Sequence, residues 1–166
     1  MTAPLISPVR NAALGRALRP LLLAAGLALG SAPAQAYEVV RPDVDLSALP
    51  PLGDAWRDDN PYRGNPAAVA AGRQVFNQAC AQCHGSDADP RQGMPAPDLR
   101  PLHRFCQRIP SPELKAACMR DNDAFFATSV RFGKVRVGVV HMPPWQGILP
   151  QEAVWAVQAF IESVAR

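Results

Sequence analysis

Cys80-Ala81-Gln82-Cys83-His84 decides how this chain is read. Two thiols stand three positions apart, within one helical turn, and an imidazole follows at once. At this spacing each cysteine can add across one vinyl group of a haem to form a thioether, which leaves His84 on the axial side where its ring can bind iron. A thiol pair with two spacers has other uses. A redox dithiol expects a thioredoxin-like βαβ setting, and a zinc site expects a second ligand pair. The flanking sequence offers neither, so the reading is one covalent haem c anchored by Cys80 and Cys83 and ligated by His84.

A six-coordinate haem needs a second axial ligand. Met142, in Val139-Val140-His141-Met142-Pro143-Pro144-Trp145, is the choice. Its thioether is soft and favours Fe(II), and the two prolines stiffen the loop that presents it. Met94, His141 and His103 are the rivals. Met94 lies only ten residues after His84, in a stretch better suited to covering the proximal side, and Met119 falls inside an expected helix and reads as packing.

The first 36 residues have the layout of a secretory leader: Arg10, Arg16 and Arg19 without an acid, an apolar run from Leu21 to Leu29, then Ala34-Gln35-Ala36. Cleavage after Ala36 is expected, and the apolar run is far shorter than the roughly 20 residues of a membrane span. The expected product is exported to the periplasm without a membrane anchor. That location suits haem c, which is attached outside the cytoplasm, and 130 residues from Tyr37 onward make one domain.

The chain has 17 Lys and Arg against 14 Asp and Glu, and the three leader arginines account for the whole surplus. Nucleic-acid binding would need a basic excess that residues 37–166 lack. The charge is unevenly spread. Six acids face two arginines between Tyr37 and Asn60, whereas nine Arg or Lys face four acids from Arg91 to Arg136, a balance able to steer an acidic partner.

Residues 37–65 are rich in Pro, Asp and Gly without a sustained period, and read as an extended arm. Leu46, Leu49, Leu52, Trp56 and Tyr62 give it reason to lie against the domain formed by residues 66–166. Asn65-Pro66 starts a helix that runs to about Ala79. Ser111-Pro112-Glu113 starts a second towards Arg120, a third runs from Asp123 to Phe132 and ends at Gly133, and an amphipathic last helix starts near Pro150. Gly85 to Pro110, with five prolines, reads as a wrapping loop. The fold class expected is all-α.

Cys106 and Cys118 remain. In an oxidising compartment they are expected to form a structural disulfide, and closing so short a loop contributes about 3 kcal/mol in the chain-entropy model.

Gly72 and Phe76 before the motif, Pro97-Asp98-Leu99 after it, Met142-Pro143, and Phe160-Ile161 near the end resemble the class I cytochromes c. The resemblance spans Pro66 to Arg166. It implies terminal helices that cross through Gly72, Phe76 and Phe160, and a Pro97 carbonyl that accepts the free ring N–H of His84. Asn60-Pro61-Tyr62-Arg63-Gly64-Asn65, Phe76-Asn77-Gln78-Ala79-Cys80, Pro97-Asp98-Leu99-Arg100 and Met142-Pro143-Pro144-Trp145 further resemble the soluble periplasmic cytochromes that take electrons from PQQ-dependent alcohol dehydrogenases. That resemblance implies a monomeric one-electron carrier without catalytic residues, with such a dehydrogenase as donor and a terminal oxidase or another cytochrome as acceptor. The segment Phe105 to Asn122 departs from the pattern, as does Pro150 where a Ser or Thr cap is usual. A haem enzyme or a haem-based sensor would instead need exchangeable coordination, against which Met142 argues.

Overall fold

The computed structural model describes residues 39–91 and 93–165, and the expected leader lies outside them. Helix α1, Pro66–Ala79, begins where the Asn65 side chain accepts the N–H groups of Ala67 at 2.9 Å and Ala68 at 3.3 Å. Its buried face is Ala68, Ala71, Gly72, Val75, Phe76 and Ala79. Helix α5, Gln151–Ser163, is buried from Ala153 to Ile161 and crosses α1, with the Phe76 and Phe160 ring centroids 5.5 Å apart. Around this pair lie α2 (Ala81–His84), a 3₁₀ turn (Ser86–Ala88), α3 (Arg104–Gln107) and α4 (Pro112–Phe132). A disulfide between Cys106 and Cys118 joins α3 to α4.

Two expectations need correction. The helices expected on either side of Asn122 are one, α4, because no Gly or Pro interrupts the run. Met119, Asp123, Phe126, Ala127 and Val130 form one buried stripe along it. Asp123, the expected start of the third helix, is instead fully buried within α4, where its carboxylate accepts from Asn60 N–H at 3.2 Å, Gln158 Nε2 at 2.8 Å and the Arg63 guanidinium.

The chain is also not wholly helical. Strands β1 (Lys134–Arg136) and β2 (Val139–Met142) pair antiparallel, with Val135 opposite Val140 and Arg136 opposite Val139. The valine-rich sequence suits strands, and Val137-Gly138 makes the two-residue turn, both with positive φ. The architecture is predominantly helical with one small hairpin.

Residues 39–65 lie against the α1–α5 pair, with Leu49 and Tyr62 buried beside Ala68, Trp155 and Ala159. Polar side chains of α5 fasten this arm. Gln151 donates to the carbonyls of Gly53 and Ala55 and accepts from Arg57 N–H, and Glu152 accepts from Leu52 N–H at 2.8 Å. Asn60 Nδ2 donates to the Trp155 carbonyl at 3.1 Å and to Gln158 Oε1 at 3.0 Å, while Arg63 reaches both Asp123 and Glu162.

Candidate functional site

Cys80 closes α1 and opens α2. Its N–H donates to the Phe76 carbonyl at 2.8 Å, and its own carbonyl accepts from Cys83 N–H at 3.1 Å and His84 N–H at 3.0 Å. One tight turn therefore carries both thiols and the imidazole. Gly85 then reverses the chain at φ +83, where a Cβ would stand 2.3 Å from the Asp89 carbonyl oxygen. The exposed face of α1 holds that reversal: Arg73 pairs with the Asp87 carboxylate at 2.7 Å, and Asn77 Nδ2 donates to it at 2.7 Å.

His84 Nδ1 lies 3.0 Å from the Pro97 carbonyl oxygen. A carbonyl can only accept, so Nδ1 carries the proton and Nε2 keeps its lone pair for a metal. Burial holds the His84 pKa below its ordinary value, with the Pro97 bond working in the opposite direction. The neutral, ligating form is thus the favoured one. Arg100 ties Asp98 at 2.8 Å to Asp89 at 2.6 Å, and so fastens the Pro97 loop to the chain just past the motif.

Met142 ends β2. Gly133, at φ +69, stops α4 and lets the Met142 backbone pass: a Cβ there would stand 2.3 Å from the Met142 carbonyl oxygen. Trp145 N–H then donates to the Val130 carbonyl at 3.0 Å and Gln146 N–H to the Arg131 carbonyl at 3.1 Å, satisfying acceptors of the last turn of α4. Trp145 is buried. Gly133 is legible in the sequence as the end of α4, but the passage of Met142 over it and these two bonds depend on a return of the chain that only the hairpin sets up.

The structure separates the rival ligands. Met142 is half-buried and packs on the core formed by Val75, Phe76, Phe126, Val130 and Trp145, and Cys80, Ala81, Leu99 and Leu102 border the same core. His141 is exposed, on the opposite face of β2 from Met142. Met94 is half-buried in the 85–110 stretch, Met119 is buried within α4, and His103 is buried at the start of α3.

This donor set suits haem c. Cys80 and Met142 edge one apolar core, and the turn that begins at Cys80 also carries Cys83 and the His84 imidazole with its free Nε2, a set that suits a large apolar macrocycle with two axial positions. It does not suit the alternatives. Burial, with Cys83 beside it, pushes the Cys80 thiol up to about 12, so it is not a thiolate at neutral pH as a reactive dithiol would be. Among the described residues no group of three or more His, Cys, Asp or Glu could hold a metal ion, so the second pair of a zinc site is missing.

Residues 67–161 match the family model described as cytochrome c oxidase, cbb3-type, subunit III. The chain is 39% identical over 151 residues to cytochrome c550 of Pseudomonas aeruginosa, covering 89% of this chain and 93% of that protein. No solved structure gives a significant match. A half-length family match and a near full-length relative, both with the name that the Cys80–His84 turn calls for, agree: the chain belongs to the cytochrome c family, with a domain of the cbb3 type, and is a monohaem electron carrier with covalently bound haem c.

Proposed function

We propose that Cys80 and Cys83 hold the haem by thioethers, that His84 and Met142 are its axial ligands, and that the protein shuttles single electrons through the periplasm from a PQQ-dependent alcohol dehydrogenase towards a terminal oxidase or another cytochrome. The observation that carries this reading is that Cys80 and Met142, far apart in sequence, border one apolar core, with the His84 ring fixed by Pro97.

Bound haem supplies a one-electron iron couple, and a His/Met pair sets its potential above that of bis-His ligation. The protein's own residues do the rest. Pro97 fixes the ring and tautomer of His84; Gly133, Trp145 and the Pro143-Pro144 pair fix Met142; Leu99, Leu102 and Phe126 keep the site dry. With a side chain offered on each side, no position stays open for a substrate, and no acid or base is needed. That favours a carrier of the class I arrangement over a haem enzyme.

Export rests on the leader-like first 36 residues, and among the described residues no helix is long and apolar enough to cross a membrane. The donor rests on the motif resemblance. Asn60 and Arg63 of that pattern hold the arm to α4 and α5, and Tyr62 donates to the Pro50 carbonyl within the arm, so their contribution is structural. A domain named for an oxidase subunit is in keeping with a terminal oxidase as acceptor. Stopped-flow mixing of the ferric protein with substrate-reduced PQQ alcohol dehydrogenase tests the donor. Haem reduction well ahead of that of an unrelated cytochrome is expected; equal rates would remove the assignment.

A further inference from the structure

Trp56 lies in the N-terminal arm, before the segment that the family model matches. It is held from one side by α5. Its ring meets Trp155 edge-on at 6.3 Å between centroids, and the peptides flanking it are held by Gln151, which donates to the Ala55 carbonyl at 3.0 Å and accepts from Arg57 N–H at 3.3 Å. From the other side it meets α4. The Arg131 guanidinium carbon lies 4.3 Å from the Trp56 ring centroid and 4.8 Å from that of Phe132.

Arg131 in turn holds the Met142 loop. Its Nε donates to Gln146 Oε1 at 3.3 Å, and its carbonyl accepts Gln146 N–H at 3.1 Å beside the Val130–Trp145 bond. Gln146 is four residues past Met142, with only Pro143, Pro144 and Trp145 between. A continuous set of contacts therefore runs from α5 through the arm and Arg131 to the loop that carries the sulfur.

We propose that Trp56 and Arg131 are positioning residues for Met142, by which the N-terminal arm braces the Met142 loop against opening; the proposal rests on Met142 being an axial ligand. Loop opening is what lets an external ligand displace a thioether. The apparent affinity of such a ligand scales with the fraction of protein in the open state, so a looser brace reads directly as tighter binding of a competitor. Neutral imidazole is the right probe, because its binding is little affected by the loss of the Arg131 charge.

The test is imidazole titration of the haem-loaded ferric protein, followed at the red-edge absorption band that marks Met-to-iron bonding, with urea midpoints taken on the same samples. Trp56→Leu and Arg131→Met are expected to bind imidazole about tenfold tighter, equivalent to about 1.4 kcal/mol of lost bracing. Trp56→Phe, which keeps a ring under the guanidinium, should stay near wild type. Tyr62→Phe removes the arm's bond to the Pro50 carbonyl without touching Trp56; it should lower the urea midpoint yet leave imidazole affinity unchanged. Affinities of Trp56→Leu and Arg131→Met within about twofold of wild type, with Met142→Ala much tighter, would overturn the brace alone. Wild-type affinity equal to that of Met142→Ala would overturn Met142 ligation, and the brace with it.

Discussion

Gly72 and Ala156 meet backbone to backbone: a Cβ on Gly72 would stand 1.9 Å from the Ala156 carbonyl oxygen and 2.9 Å from Val157 N. The crossing of α1 and α5 is therefore set by the absence of a side chain, and the α1 end that delivers Cys80 is set with it. Overpacking of a core costs about 1–3 kcal/mol where side chains can shift. Here the obstacle is backbone, so Gly72→Ala is expected at or above the top of that range, read as a fall in the urea midpoint. A change no larger than that of an exposed substitution would show that the helices can part.

Arg63 and Asp123 give a second prediction. The Asp123 carboxylate has no exposure, and the Arg63 guanidinium, shared with Glu162, is its only charged partner among the described residues. Removing the cation strands a buried carboxylate, at up to about 3–5 kcal/mol for a fully buried pair, and Arg63 is one-third exposed. Arg63→Met should approach that loss in equilibrium unfolding. Arg63→Met with Asp123→Leu should recover much of it, and equal losses in the single and double variants would contradict the account.

The local turns of this protein were legible and the long-range ones were not. Asn65-Pro66 marked the start of α1, and the turn of the haem motif is made by adjacent residues. Gly133 marked the end of α4, but that Met142 would pass over it could not be read, since the clash arises only after the chain returns. The hairpin has a local signal, Val-Arg-Val-Gly-Val-Val from Val135, with Gly138 at the turn. The boundary expected between Arg120 and Asp123 falls on residue types that favour caps and turns over helix interiors. Only the arm, which brings Asn60 and Arg63 to the Asp123 carboxylate, makes it a helix interior. The pairing of Trp56 with Arg131 likewise joins elements that share no local pattern.

The Asp87 carboxyl is held well below its ordinary value of 3.8, first by the Arg73 hydrogen bond and then by that from Asn77. A depressed folded-state pKa adds stability that is complete above the unfolded value and is lost as pH falls through the folded one. Thermal midpoints of wild type and Asp87→Asn should therefore differ at neutral pH and begin to converge only below about pH 4, the gap closing as pH falls towards the folded value. Asn tolerates the positive φ of this position, so the backbone is undisturbed. A gap that persists unchanged in acid would contradict the assignment.

Val137 stands at φ +51 in the hairpin turn and is fully exposed. A β-branched residue in this left-handed region carries strain of about 1 kcal/mol or more, and no packing offsets it. Val137→Asn, with Gly138 kept, should stabilise the protein by about 1 kcal/mol in urea unfolding. Loss of stability would show that the turn adopts another geometry.

The most direct test of the account is the visible spectrum of the ferric, haem-loaded protein in wild type, Met142→Ala, Met94→Leu and His141→Ala. The red-edge band of Met-to-iron bonding is expected in wild type and in the Met94 and His141 variants, with its loss in Met142→Ala and rapid cyanide binding only in that variant. A high-spin wild-type spectrum with rapid cyanide binding, or a band that survives in Met142→Ala, would contradict it.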